Sequence, residues 1–350
     1  MNTRYSPPRH PWVQVDASGK PLYPFYHQLA GVFAILAAAS AYLVFNNMLR
    51  DVPVSVSYFW FLLFGICASF LYPDDFTSWI LLRGSGRKGI SYFHEAPLRS
   101  WRKSLKQGGF LLLFLAASTY TLYFGFLLWS LSSKQPGIVA TILLLYQLSP
   151  IVNTTAAYKI TRDTCKSWSA YILGSAIIFA GIAVYRFELY RTANIAFLDE
   201  VALQVCLALL FNCVYTLARR MYSAKYLVDG RQAMQSVYVV ALPASILWLL
   251  FDPAPFTLPS PEQFTVLFYL GFIPTALGGI VIARVTDRIG IPYIESVGAF
   301  RTLFAVFIGF IPFRWFHQEQ NLTLLHFAGF ALAILGMMVV VFRARPFVKK

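Results

Sequence analysis

The sequence predicts an all-α membrane protein: ten transmembrane helices arranged as two inverted five-helix repeats. Three observations carry that prediction. The 350 residues are 58% hydrophobic and only 13% charged, with a mean hydropathy of +0.59, which excludes an ordinary soluble domain. Apolar runs of the length that a hydrocarbon core of about 30 Å demands, roughly 20 residues, recur along the chain. Lysine and arginine, finally, alternate in abundance from one connection to the next.

Ten such runs are found, at about Gln28–Asn47, Val54–Tyr72, Gly108–Leu131, Gly137–Tyr158, Trp168–Tyr185, Leu198–Leu217, Ala233–Phe251, Phe264–Ala283, Ile291–Phe313 and Leu322–Phe342. They divide the chain into a cytoplasmic segment (1–27), a first five-helix repeat (28–185), a second (186–342) and a basic tail (343–350). Short connections leave no room for a separate soluble domain. The polar, Pro-rich start has no signal-peptide core and is expected to be retained. The longest connection, 73–107, mixes Trp79, Ile80 and Trp101 with Arg83, Arg87, Lys88, Arg102, Lys103 and Lys106, as in a segment lying on the inner leaflet. Its Gly84-Ser-Gly86 lacks the rest of a phosphate loop. Tyr72, Trp129 and Trp315 stand near span ends, where aromatic side chains favour the interface.

With the N-terminus in the cytoplasm, 23 of the 29 Lys and Arg fall in inward connections and 5 in outward ones. That bias places both termini in the cytoplasm, across the inner membrane. The net charge of +14 therefore reads as topology and contact with anionic lipid, not as nucleic-acid binding. The remaining cation, Arg301, stands alone inside the ninth run. Cys67, Cys206 and Cys213 fall within spans and Cys165 in a cytoplasmic loop, so no disulfide framework is expected. Cys206 and Cys213, seven apart, are expected on one helix face as packing residues.

The two halves echo one another. Gly174 and Gly181 in the fifth run, followed by Arg186, match Gly329 and Gly336 in the tenth, followed by Arg343. Gly137-Ile138 and Gly290-Ile291 open the preceding runs. Glycines seven apart mark close helix packing on their own. A repeat of five spans must also lie inverted relative to its copy, the architecture that supports alternating access with a central substrate site.

The stretch Leu148-Ser-Pro150, Lys159-Ile-Thr-Arg-Asp163, Leu173-Gly174, Ala180-Gly181, with its second copy ending Phe327-Ala-Gly329 and Leu335-Gly336, resembles the drug/metabolite transporter (DMT) superfamily, in particular its EamA-type ten-helix transporters. The resemblance spans Gln28–Phe342 and implies the inverted-repeat fold and solute transport. The long 73–107 loop departs from the pattern, as does Asp163 where members often carry a glutamate. Gly298-Ala-Phe-Arg301 also resembles the ninth-helix Gly-Ala-Leu-Asn-Lys motif of nucleotide-sugar transporters in that superfamily, which implies an anionic substrate.

An arginine deep in a span is expensive, so it faces the bundle interior and meets a partner or a ligand. On a helix its neighbours are Val297, Gly298, Ala305 and Ile308, and the two small ones leave space beside a guanidinium shaped for carboxylate or phosphate. Two readings stand at this stage: Arg301 anchors an anionic substrate, or it pairs with a neighbouring helix. Glu295, six residues earlier, is rotated by about 120°; it is a candidate coupling acid, or else a hydrated mouth residue. Tyr146, Ser149 and Asn153 form a stripe on the fourth run; Tyr123 on the third and Gln204 and Tyr215 on the sixth complete the candidate substrate-binding set. Asn46, Asn47, Thr119, Gln235, Tyr238, Tyr269 and Thr275 add further polar groups, as ligand contacts or as interhelical glue. Pro150, Pro243 and Pro274 interrupt spans, as hinges or as fixed kinks.

The five histidines lack metal-ligand spacing and no hydrolase signature occurs, so no cofactor, metal or catalytic residue is expected. The sequence thus reads as a secondary transporter of a small polar, anionic metabolite. The alternatives are an exporter of amino acids or drug-like cations, with Arg301 structural, and a membrane-embedded enzyme or lipid-handling protein.

Overall fold

The computed structural model describes residues 25–71, 106–133, 138–160, 168–194, 199–226, 228, 230–254, 256–289, 291, 298, 300–309, 311, 313–316 and 323–343. Among the described residues the chain is helical throughout, without a strand. In lipid every backbone polar group must be satisfied within the protein, and a helix does so inside one segment. The helices are α1 (Phe25–Met48), α2 (Val54–Leu71), α3 (Phe110–Ser132), α4 (Ile138–Leu145), α5 (Ser149–Ile160), α6 (Trp168–Ala193), α7 (Glu200–Tyr226), α8 (Gly230–Phe251), α9 (Pro261–Leu270), α10 (Gly279–Ile289), α11 (Phe300–Gly309) and α12 (Leu324–Arg343). A 3-10 turn, Tyr146–Leu148, joins α4 to α5, and a π-helical stretch, Gly271–Gly278, joins α9 to α10.

Seven helical stretches among the described residues are long and apolar enough to cross a membrane: Ala30–Met48, Val54–Leu71, Phe110–Ser132, Ile172–Thr192, Glu200–Tyr226, Gly230–Phe251 and Pro261–Thr286. Ile138–Asn153 and Leu324–Gly336 are shorter apolar helices. The outer surface is apolar too: Leu71, Leu111, Leu250 and Phe251 are each at least 70% exposed. A surface of that kind needs lipid beside it. The chain is a multi-pass membrane protein. The ninth expected span is described only around α11, and Glu295, Asp163, residues 1–24, most of the 73–107 connection and residues 344–350 lie outside the described residues.

Two helices run past their expected spans: the fifth span ends at Tyr185 and the sixth at Leu217, where charges begin, whereas α6 runs to Ala193 and α7 to Tyr226. On α6 the added charges are paired. Arg186, 2% exposed, bonds Asp199 at 3.0 Å. Glu188 accepts two hydrogen bonds from Arg191, both at 2.9 Å, and one from the Thr323 hydroxyl at 2.8 Å, which ties α6 to the start of α12.

α6 and α12 pack along one another, as do α3 and α7. Where α6 meets α12, Gly174 and Gly181 oppose Gly336 and Gly329. A Cβ on Gly181 would lie 2.6 Å from the Gly329 carbonyl oxygen, and one on Gly336 would lie 2.6 Å from that of Gly174. The helices are therefore in backbone contact, a separation only glycine permits. Elsewhere polar side chains bridge helices: Asn46 donates to the Leu131 carbonyl (2.7 Å) and Asn47 to that of Trp315 (3.1 Å). Arg231 and Gln235 both donate to the Ser69 carbonyl, at 2.9 and 2.8 Å. Cys206 is exposed while Cys213 is buried against Leu217 and Ile291, so the two cysteines do not share an environment.

Candidate functional site

A cavity of about 190 Å³ lies between α1, α2, α3, the α4–α5 junction, α7, α8, the π-helical stretch, α10 and α11. Six tyrosines line it: Tyr42, Tyr120, Tyr123, Tyr146, Tyr215 and Tyr238. An aromatic ring with a hydroxyl tip offers an apolar face and a hydrogen bond at once.

Two local departures from the α-helix shape the wall. Proline at 150 cannot supply an amide hydrogen, and the turn just before it is 3-10. In a 3-10 turn residues three apart eclipse, so Tyr146 and Ser149 lie on one line, and both face the cavity. Four α-helical steps beyond Ser149 rotate Asn153 off that line by about 40°. Asn153 is buried and donates to the Ser149 hydroxyl at 3.0 Å. Pro274 similarly sits inside the π-helical stretch, presenting its own ring and Thr275 to the cavity. The Thr275 carbonyl accepts the Tyr238 hydroxyl at 2.6 Å. α2 crosses this stretch closely, with a Cβ on Gly271 falling 2.8 Å from the Phe61 carbonyl oxygen.

Arg301 reaches the cavity from α11. Its Nη1 donates to the Tyr42 hydroxyl at 3.0 Å. The guanidinium carbon lies 5.8 Å from the Tyr42 ring centroid and 5.6 Å from that of Tyr146, within cation–π range. The two rings meet edge to face, 5.9 Å apart at 71°. Gly298 lies alongside; a Cβ there would reach the Arg301 Nη2 and Ile35 only at 3.8 and 3.9 Å. Gly298 and Arg301 both line the cavity. The buried Tyr146 hydroxyl has no hydrogen bond of good geometry, although the Tyr123 hydroxyl is near enough to interact with it.

Of the residues singled out by sequence, Arg301, Tyr146, Ser149, Tyr123 and Tyr215 converge on this one cavity. Asn153 supports it from behind Ser149. Gln204 does not line it: its amide donates to Glu200 at 2.9 Å and its oxygen accepts from Ser130 at 3.3 Å. Tyr215 turns its hydroxyl onto the Met234 sulfur at 2.9 Å, so its ring, more than its hydroxyl, serves as wall. Tyr42, Asn212, Thr216 and Arg219 are wall residues that sequence reading missed. Arg301 is consequently not the one cation inside the bundle. Arg219, placed by sequence in a cytoplasmic loop, is 2% exposed and shares the cavity; its place directly after an apolar run hid it among the topological charges. No carboxylate lines the cavity among the described residues.

Tyr42→Phe keeps the ring beside Arg301 and deletes the hydrogen-bond acceptor. Interhelical bonds in membranes are worth about 0.6 to 1.7 kcal/mol, so the variant is expected to unfold about 1 kcal/mol more easily while staying monodisperse. Equilibrium unfolding in mixed micelles checks this; an unchanged stability would mean that the bond ties nothing together.

No protein-family model and no curated protein matches the chain. Its fold is found among solved structures: one crystal structure matches with a TM-score of 0.60 at 15% identity, over 91% of this chain and 97% of that one. At such low identity the likeness is one of fold alone.

Proposed function

We propose that the chain is a secondary carrier that moves a small anionic metabolite across the cytoplasmic membrane by alternating access. The observation that carries the proposal is Arg301: it lines a cavity inside the bundle together with six tyrosines and Gly298. A half-buried cation in a pocket of hydrogen-bonding aromatic rings suits a carboxylate or phosphate on a small organic body. Export of drug-like cations fits less well, because a cationic ligand would meet like charge there.

In this reading the chain has ten spans in two inverted halves, with both termini in the cytoplasm, as its resemblance to the drug/metabolite transporter superfamily implies. The packing of α6 on α12 supports the inversion. Gly174 meets Gly336 and Gly181 meets Gly329, so the first glycine of one repeat opposes the second of the other. A two-fold axis between antiparallel helices produces that reciprocal pairing. The 3-10 turn before Pro150 and the π-helical stretch at Pro274 supply the broken helices that such carriers place around their substrate. Alternating access then means that each half bends at its own weakened segment, closing the cavity first to one side and then to the other.

Purified protein in liposomes tests the proposal. Labelled organic anions are expected to accumulate by counterflow, and cations of equal size are not. Conversion of a solute to product in detergent, with no compartment present, would instead mark an enzyme. A finer test uses Gly298. Alanine fits there, since its Cβ would make only ordinary contacts. Leucine would extend into the space beside Arg301. Gly298→Ala is expected to transport and Gly298→Leu to fold but lose uptake; equal uptake by both would place the substrate elsewhere.

A further inference from the structure

At the end of the seam where α12 begins against α6, a histidine serves as part of a helix cap. Thr323 is the N-cap of α12: its carbonyl accepts the first helical hydrogen bond, from the Phe327 amide at 3.3 Å. Three residues on, His326 turns its Nδ1 back onto the Thr323 amide, which donates to it at 3.1 Å. That is one half of a capping box, with imidazole in the place usually held by glutamate or glutamine. The other half is diverted to the neighbouring helix. The Thr323 hydroxyl donates to Glu188 Oε1 at 2.8 Å, and Arg191 holds both oxygens of that carboxylate at 2.9 Å.

An Nδ1 that accepts a hydrogen bond carries no proton, so the imidazole is neutral and its hydrogen sits on Nε2. Nε2 is buried without a hydrogen-bond partner, and His326 as a whole is 3% exposed. Its ring meets that of Tyr185, on α6, edge to face, with centroids 4.8 Å apart at 65°. The charged groups around it among the described residues are Glu188 with Arg191, on α6, and Arg186 with Asp199, which joins α6 to the start of α7. Two cations and two carboxylates balance while the imidazole is neutral. A second ring proton can go only to Nδ1. There it breaks the Thr323 amide bond and places a positive charge in the first turn of α12, where the helix dipole is already positive. Solvent is close, because the Arg191 side chain that covers Glu188 is 61% exposed. We propose that His326 is a proton-operated latch between α6 and α12. Neutral, it caps α12 and keeps Thr323 against Glu188; protonated, it releases the Thr323 amide and loosens this end of the seam. None of these residues lines the cavity, so the latch stands or falls separately from the carrier reading.

Hydrogen exchange of the full chain in mixed micelles tests it, with rates corrected for the intrinsic pH dependence of amide exchange. From about pH 8 to about pH 5.5, across the ordinary imidazole range, protection at residues 323–327 is expected to fall about tenfold in wild type, the effect of losing a helix cap. Glutamine keeps an acceptor for the Thr323 amide and does not titrate. His326→Gln is therefore expected to match wild-type protection at the higher pH within about threefold and to hold it at the lower pH. Glu188 is intact in that variant, so a fall that persists there would belong to a carboxylate and overturn the latch. A wild type whose protection does not change with pH would overturn it too. Should the glutamine variant not fold, wild type decides. A loss confined to the start of α12 and the facing end of α6, with its midpoint in the imidazole range, supports the latch; any other pattern overturns it.

Discussion

Arg301→Gln is expected to lower the affinity for a transported anion by about ten- to a hundredfold, since a hydrogen bond to a charged group contributes about 1.5 to 3 kcal/mol. Glutamine keeps much of the side-chain length and polarity but removes the charge and the planar fork. Arg301→Lys restores charge without the fork and is expected to recover only part of the loss, because an ammonium cannot engage a carboxylate through two parallel bonds. Its smaller head also gives up the stacking on Tyr42 and Tyr146, whose centroids lie 5.8 and 5.6 Å from the guanidinium carbon. Counterflow of a labelled anion in proteoliposomes, at matched reconstitution, measures both variants. The loss is expected to persist at high ionic strength, because ions screen exposed charges far more than buried ones. Should Arg301→Gln transport like wild type yet melt earlier, the arginine would be a structural tie between α11 and α1, and the proposal would lose its anchor.

The apolar runs behind α1, α2, α3, α7 and α8 could be read from the sequence because hydrocarbon thickness imposes length and composition directly. Helix ends could not. Arg186 and Glu188 look like loop residues until Asp199 and Thr323 are brought against them, and those partners are 13 and 135 residues away. A charge whose partner is distant in sequence carries no local signature. Arg219 shows the same blindness: Leu217-Ala-Arg219-Arg220 is what a topogenic charge cluster looks like, and only the continued helix turns one of these arginines onto the cavity. Arg301 could be found because its apolar flanks leave no loop to put it in. Of the stripe through Tyr146, Ser149 and Asn153, the first two line the cavity and the third hydrogen-bonds Ser149; the turn before Pro150 is 3-10, a change of helix phase that ideal α-helical periodicity does not carry. Gln204 is held away from the cavity wall by Ser130 and Glu200, which occupy its amide, and Ser130 lies on another helix.

Leucine at Gly329 is expected to destabilise the protein by more than the 1 to 3 kcal/mol that overpacking ordinarily costs. A Cβ there would lie 2.9 Å from the Gly181 carbonyl oxygen and 3.0 Å from the Tyr185 amide nitrogen. Both are backbone atoms, so relief requires α6 to move away from α12, not one side chain to turn. Gly125 offers the contrast. Its added Cβ would meet only the far edge of the Trp248 ring, at 3.1 Å, and Gly125→Ala is expected to cost much less than Gly329→Ala. Gly181 and Gly329 guard one crossing, so once either alanine has separated the helices the second should add little. The double variant Gly181→Ala, Gly329→Ala is therefore expected to fall short of the sum of the single costs by about 1 kcal/mol or more. Gly336 faces Gly174 at the neighbouring crossing and belongs to the same rigid contact, so Gly336→Ala combined with Gly329→Ala should also be sub-additive, though less so. Equilibrium unfolding in mixed micelles gives all of these values. Strict additivity at Gly181 and Gly329 would mean that the two helices do not touch there in the membrane, and the reciprocal glycine pairing would no longer argue for two inverted halves.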